Sequence, residues 1–140
     1  MSTIDQQLPT QMKQDIVYLC ERSIYSSFNV FTDLTNMSTE EAYMINTIYL
    51  GYKKRDMADG IIFINSKPEI CLNRALSRGH PSDNQLTLQN VEYIHQKYQT
   101  WLENTHLPVY YIDESDVPKQ SAKDIIESAI MFFEDKKCVG

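Results

Sequence analysis

The sequence predicts an α/β fold in which helices flank a parallel sheet. Three short apolar runs, 16–20, 61–64 and 109–112, are rich in β-branched or aromatic residues and are too short for buried helices. Uninterrupted apolar runs of this kind are typical of parallel strands that are covered on both faces. Longer segments between and after these runs repeat their apolar residues at three- and four-residue intervals, which indicates amphipathic helices. Such alternation predicts parallel pairing through right-handed crossovers.

Composition limits the kind of protein this is. The length of 140 residues predicts a single domain, 1–140, in which residues 1–14 are polar and poorly ordered. The net charge of −6 argues against a general nucleic-acid-binding surface. No segment resembles a signal peptide or reaches membrane-spanning length, so we expect an intracellular, cytoplasmic protein with no membrane partner. The three cysteines lack C-x-x-C spacing and predict neither a disulfide framework nor a zinc site.

Two charged residues directly follow the first predicted strand. Glu21 and Arg22 come after the run 16–20, where the carboxyl ends of parallel strands border the ligand crevice. They are therefore candidate site residues, although a surface ion pair is the simpler interpretation of an isolated Glu-Arg pair. A helix should begin further along, at a capping box formed by Ser38 and Glu41.

The central segment, 59–83, combines a strand, a helix and a cationic cluster. The strand at 61–64 is followed by a second predicted capping box, Ser66 with Glu69, and the helix that this box starts should end at Gly79. Arg74 and Arg78 share one face of that helix, an unfavourable arrangement unless an anion lies between them. His80 follows just past the helix end and extends the row that Arg74 and Arg78 form, called here the arginine row. The pattern predicts a phosphate-handling lid, and the alternative is a solvated helix face.

The last third of the chain completes the alternation. Apolar residues at helical intervals predict a helix over 88–102, with His95 on its apolar face as a core histidine. A strand at 109–112, a turn-rich loop at 113–118 and an amphipathic helix from about 121 to 135 follow.

Two stretches resemble the deoxynucleoside kinases, the family of the thymidine, deoxycytidine and deoxyguanosine kinases. The segment CLNRALSRGHPSDNQLTLQNVEYIHQKYQTWL, 71–102, resembles their lid and following helix without a gap. The family pattern Arg-x-x-x-Arg-x-Arg is matched by Arg74 and Arg78, with His80 at the third arginine. Asp83 matches an acid of the family, whereas Ser82 stands where an acid is usual. The segment CERSIYSSFNVF, 20–31, resembles the family's Glu-Arg-Ser segment.

The resemblance implies catalytic and metal-binding roles. Arg22, Arg74, Arg78 and His80 would stabilise the transferred phosphoryl charge, and Glu21 would help to hold the Mg²⁺ of the nucleotide. These roles make physical sense because positioned cations supply most of the catalysis of phosphoryl transfer.

It also implies binding roles for substrate and cofactor. Phe31 would stack on the base, although a core position is the simpler interpretation of that ring alone, and Asp83 would bind the sugar 3′-hydroxyl. The small Ser27 slightly favours a pyrimidine substrate. Asp116 and Val117 lie in the loop that the family places against the adenine of ATP, largely through backbone groups. The helix that begins at Ser38 would pack across a dimer interface, or equally on its own sheet.

One expected motif is absent from the sequence. The resemblance covers 16 to about 133 and implies a P-loop kinase architecture, yet the four glycines cannot form G-x-x-x-x-G-K-[ST]. We therefore expect a C-terminal portion of a deoxynucleoside kinase that is inactive alone and would use ATP and Mg²⁺ in a complete enzyme. Its expected partners are a deoxynucleoside, ATP, and a second copy or a chain that bears a P-loop. The alternatives are a non-catalytic kinase partner and a truncated gene product.

Overall fold

The computed structural model describes residues 16–21, 23–33, 36–53 and 58–139. The chain divides into two compact units, Met1–Met57 and Ala58–Gly140. The predicted disorder of 1–14 and the candidate Arg22 both lie outside the described residues. No helix within the described ranges is long and apolar enough to cross a membrane.

The regular secondary structure described in the first unit is all helical. A turn of α-helix, Ile24–Ser26, runs into a π-helical turn, Ser27–Phe31. Helix α1, Thr39–Lys53, begins at the predicted capping box. The backbone N–H of Ser38 donates to the Glu41 carboxylate at 2.9 Å, and the N–H of Glu41 donates to the Ser38 hydroxyl at 3.2 Å. That prediction is confirmed.

The second unit is an α/β unit built on a parallel strand pair. Strand β1, Ile61–Asn65, pairs in parallel with β2, Val109–Asp113, in a register that sets Ile61 opposite Val109. Helices α2, Pro68–Arg78, and α3, Leu88–Asn104, connect the two strands, and α4, Ala122–Val139, follows β2. The predicted α/β class, with helices flanking a parallel sheet, is confirmed.

Helices contact both faces of this sheet. The Phe63 ring lies 5.5 Å from that of Tyr98 on α3, and the Tyr110 ring lies 5.4 Å from that of Phe132 on α4. Phe63 and Tyr110 are one register position apart and therefore point to opposite faces. The buried apolar residues of this unit are Leu102, Ile112 and Ala129.

The two ends of α2 differ in how well they were predicted. Gly79 ends the helix as expected, in a left-handed conformation with φ of 70°. The prediction of a Ser66–Glu69 capping box is wrong, because the N-cap residue is Lys67 and its side chain makes no capping hydrogen bond. A capping box joins the N-cap to the third helical residue, and from Lys67 that residue is Ile70, which has no acceptor.

The strand predicted at 16–20 is also wrong. These residues have no regular secondary structure, and Val17 and Leu19 are each 65 % exposed. An apolar run becomes a strand only when a neighbouring strand pairs with it, and none of the described strands pairs with 16–20.

The expectation that both faces of β1 are covered needs a similar correction. Ile64 is 50 % exposed although Ile112, opposite it in register, is 6 % exposed. On the face that carries Ile64 and Ile112, the helical cover therefore reaches β2 more fully than β1.

Candidate phosphate-binding site

Helix α2 presents the predicted cationic row at the surface. The side chains of Arg74 and Arg78 are 66 % and 68 % exposed. They lie four residues apart on a regular helix and so share a face, as the sequence predicts.

Each arginine is held by a carboxylate that is far less exposed than the arginine itself. Arg78 donates from Nη2 to Oδ2 of Asp83 at 2.6 Å, and the Asp83 side chain is 14 % exposed. Arg74 pairs through Nη2 with Oε1 of Glu114, whose side chain is also 14 % exposed. The repulsion between the two arginines is thus relieved by two carboxylates of the protein.

The row keeps donors free for a ligand. Within the described ranges, the contacts of both guanidinium groups to protein use Nη2. No contact among the described residues uses Nε or Nη1 of either group, and a guanidinium can bind a phosphate through two such donors at once.

Glu114 was missed at the sequence level. It directly follows β2 and begins a 3₁₀-helical turn, Glu114–Lys119. The rule that drew attention to Glu21, a charge at the carboxyl end of a strand, applies equally to Glu114 and would have found it.

His80 lies in a tight turn at the end of the row. Its Nδ1 accepts a hydrogen bond from the backbone N–H of Ser82 at 3.3 Å and lies 2.6 Å from the Ser82 hydroxyl. Because the backbone N–H can only donate, Nδ1 is the acceptor, and in the neutral ring the proton is therefore on Nε2. Ser82, which stands where the family has an acid, thus helps to orient His80.

The turn after β2 also contains the residues predicted to face adenine. Asp116 and Val117 lie in the same 3₁₀ turn as Glu114, and Val117 accepts a backbone hydrogen bond from Gln120 at 3.3 Å.

Asp113 caps this turn. The Ser115 hydroxyl and backbone N–H both donate to the Asp113 carboxylate, at 2.6 and 2.9 Å, and lower the pKa of that carboxyl below its ordinary 3.8.

The first unit carries the other predicted site residues. Glu21 is exposed, and Ser27 and Phe31 lie in the π-helical turn with exposed side chains. Phe31 is therefore not a core residue, which was the alternative interpretation.

Among the described residues no group of three or more histidines, cysteines or carboxylates could hold a metal ion. Glu21 alone would need other ligands, such as nucleotide phosphates, to hold Mg²⁺.

A cavity of about 580 Å³ lies at the opposite end of the second unit. Its lining includes Pro108, Val109, His106 and Lys136, so it adjoins the amino end of β2. Open α/β sheets bind their ligands outside the carboxyl ends of the strands, where Glu114 and Arg74 lie. We therefore place the candidate site at the arginine row and not in this cavity.

Comparison with known proteins agrees with the resemblance. A family model described as deoxynucleoside kinase matches residues 1–133. Mitochondrial deoxyguanosine kinase of Xenopus laevis is 25 % identical over 118 residues, which cover 79 % of this chain and 44 % of the relative. Deoxycytidine kinase 1 of Xenopus laevis is 29 % identical over 73 % of this chain and 42 % of its own length.

A mammalian relative is more similar over a shorter stretch. Deoxycytidine kinase of Mus musculus is 35 % identical over 85 residues, or 54 % of this chain and 33 % of the relative. The chain thus spans less than half the length of these relatives. The family match extends over nearly all of the described residues, including the arginine row and its two carboxylate anchors, and the chain belongs to the deoxynucleoside kinase family.

Proposed function

We propose that this chain supplies the lid and the phosphate-contacting arginines of a deoxynucleoside kinase that transfers a phosphoryl group from ATP to the 5′-hydroxyl of a deoxynucleoside. The observation that carries the proposal is the pair of exposed, anchored guanidinium groups on α2. Held at the surface, with Nε and Nη1 unpaired among the described residues, they suit a transition state whose charge spreads over the phosphoryl oxygens.

The remaining roles follow the family pattern residue by residue. Arg22 adds positive charge near the transferred group, and His80 donates a hydrogen bond to it from Nε2. Phe31 stacks on the base and Asp83 binds the sugar 3′-hydroxyl. Ser27 leaves room for a pyrimidine, which we propose as the favoured base. The exposed side chain of Phe31 supports a binding role, since a ring in the core could not meet a ligand.

The cofactor would be the Mg²⁺ complex of ATP. Glu21 would hold the metal together with phosphate oxygens, and Asp116 and Val117 would meet the adenine. Bound Mg²⁺ neutralises charge on the β- and γ-phosphates. The motif G-x-x-x-x-G-K-[ST] does not occur in the 140 residues, so we propose that phosphoryl transfer needs a P-loop segment in addition to them.

Reconstitution tests the proposal. The chain alone should phosphorylate neither thymidine nor deoxycytidine with ATP, whereas adding a P-loop segment from a related kinase should produce activity. Arg22→Ala and Arg78→Ala should each lower that activity by about a hundredfold or more, the scale of losing one preorganised charge stabiliser. Lys123→Ala, a change of an exposed residue on α4, is the control and should leave activity unchanged.

The alternative functions predict a different result. A non-catalytic kinase partner would bind a full-length kinase without needing its arginines for turnover, and a truncated gene product would not fold cooperatively. A cooperatively folded chain that stays inactive with every P-loop segment would contradict the kinase proposal and favour the partner function.

A further inference from the structure

Glu114 is an unusual carboxylate. Its side chain is mostly buried, its Oε1 pairs with Arg74, and its Oε2 is buried without a hydrogen-bond partner among the described residues. Buried polar atoms are nearly always satisfied, so an unsatisfied one in a native structure calls for an explanation.

We infer that Glu114 is a positioning residue, which fixes the Arg74 guanidinium for an incoming phosphate without touching the phosphate itself. The inference rests on the proposed function, because it takes Arg74 to be an anion-binding group. It assigns to Glu114 a role that the family pattern in this sequence does not suggest.

The position of Glu114 suits that role. An exposed arginine samples many side-chain conformations, and ordering them opposes anion binding. Glu114 is itself held by rigid structure, since it directly follows β2, which is paired in register with β1, and the turn that it begins is capped by Asp113. The ion pair with Glu114 therefore connects Arg74 on α2 to the carboxyl end of the sheet.

The alternative is that Glu114 acts only as a local negative charge. In that case its removal would strengthen anion binding, because a carboxylate near the site repels phosphate. Loss of positioning would weaken anion binding instead. The two explanations thus predict opposite signs.

Two Glu114 variants of similar size separate the effect of its charge from the effect of its contact with Arg74. Glu114→Gln removes the charge and keeps an oxygen that can accept from Arg74, whereas Glu114→Leu removes both. The experiment titrates the full chain with pyrophosphate and follows binding by calorimetry. We expect Glu114→Gln to bind pyrophosphate as tightly as the wild type or more tightly. Glu114→Leu should bind about five- to tenfold more weakly, the scale of one charge-assisted hydrogen bond.

Further variants test whether the effect comes from any nearby charge, whether it acts through Arg74, and whether it comes from misfolding. Glu69→Gln removes an exposed charge from α2, the helix that carries Arg74. This variant should bind pyrophosphate no more weakly than the wild type. Glu114→Leu should have no further effect in an Arg74→Ala background, since a positioning residue acts through its partner. If the leucine variant does not fold, Glu114→Asp replaces it, because the shorter side chain keeps the charge but withdraws it from Arg74 and should also weaken binding.

The outcomes distinguish this inference from the proposed function. Equal or tighter binding by Glu114→Leu relative to Glu114→Gln would overturn positioning and leave the arginine site intact. Failure of the wild type to bind pyrophosphate, or equal binding by an Arg74→Ala/Arg78→Ala variant, would overturn the arginine site and the inference with it.

Discussion

The arginine row is built from ion pairs whose two partners differ in exposure. Arg74 and Arg78 are mostly in solvent, whereas Glu114 and Asp83 are mostly buried. Losing the arginine leaves a desolvated carboxylate without its partner, whereas losing the carboxylate leaves an arginine that water can solvate. The two halves of each pair should therefore differ in their effect on stability.

Arg74→Ala should destabilise the second unit by about 1–3 kcal/mol, the cost of an unsatisfied buried polar group. Adding Glu114→Gln should restore part of that loss, because the neutral amide is less costly to bury. Urea unfolding measures both. Lys123→Ala breaks an exposed pair with Glu127, at 3.8 Å, and as the control should change stability by less than about 0.5 kcal/mol. Equal effects of Arg74→Ala and Lys123→Ala on the free energy of unfolding would contradict the importance of the buried carboxylate partner.

Asp113 gives the turn after β2 a dependence on pH. Hydrogen bonds from the hydroxyl and then the backbone N–H of Ser115 lower its pKa below 3.8. Because the folded pKa is the lower one, the stabilisation is fully present above pH 3.8 and is lost as the pH falls through the folded value. Ser115→Ala should raise the pKa of Asp113 partway back, since the backbone donor remains. Carbon-13 NMR titration of the carboxyl measures this, and an unchanged midpoint would contradict the assignment.

At the scale of elements, three glycines should respond differently to alanine. A Cβ at Gly60 would lie 2.6 and 2.8 Å from two Phe133 ring atoms, so Gly60→Ala should push α4 from the start of β1 and cost about 1–3 kcal/mol. Gly79→Ala should cost about 1 kcal/mol because its φ is 70°. Gly51 lies inside α1 with nothing within 4 Å, and Gly51→Ala should stabilise by about 0.5–1 kcal/mol. Denaturant unfolding of the three variants checks this order.

Local patterns in the sequence predicted those elements whose cause is local. The capping box at Ser38, the left-handed stop at Gly79 and the apolar stripe of α3 each depend on residues a few positions apart, and each appears in the structure. The strand at 16–20 depends on a partner strand, which local sequence does not specify.

The candidate site shows the same division. The shared face of Arg74 and Arg78 follows from helical spacing alone and was predicted. Their ion pairs were not predicted, because Glu114 is forty residues from Arg74 and reaches it through the fold of α3 and β2. Asp83 was assigned to the sugar, and its contact with Arg78 came from the turn after Gly79, whose path the sequence did not indicate.

At the scale of the whole molecule, the described surface is rich in exposed apolar side chains. On α1, Met44 and Ile48 lie four residues apart and are exposed, as are Tyr111 on β2 and Met131 on α4. Contiguous exposed apolar patches are unusual on soluble monomers and mark surfaces of association. Among these surfaces we expect α1 to associate, because the resemblance implies a dimer interface at the helix that begins at Ser38.

We predict that the chain self-associates through α1. Ile48→Glu should lower the sedimentation-derived association constant about tenfold or more, because it places a charge in an apolar contact. Met131→Glu changes a more exposed apolar residue on α4 and, as the control, should have a smaller effect. Association should strengthen from pH 8 to pH 5.5, because the net charge of −6 falls toward zero near the pI of about 5.0 and repulsion between chains weakens. Equal loss in both variants would mean that association is not specific to α1, and a monomer at all concentrations would contradict self-association.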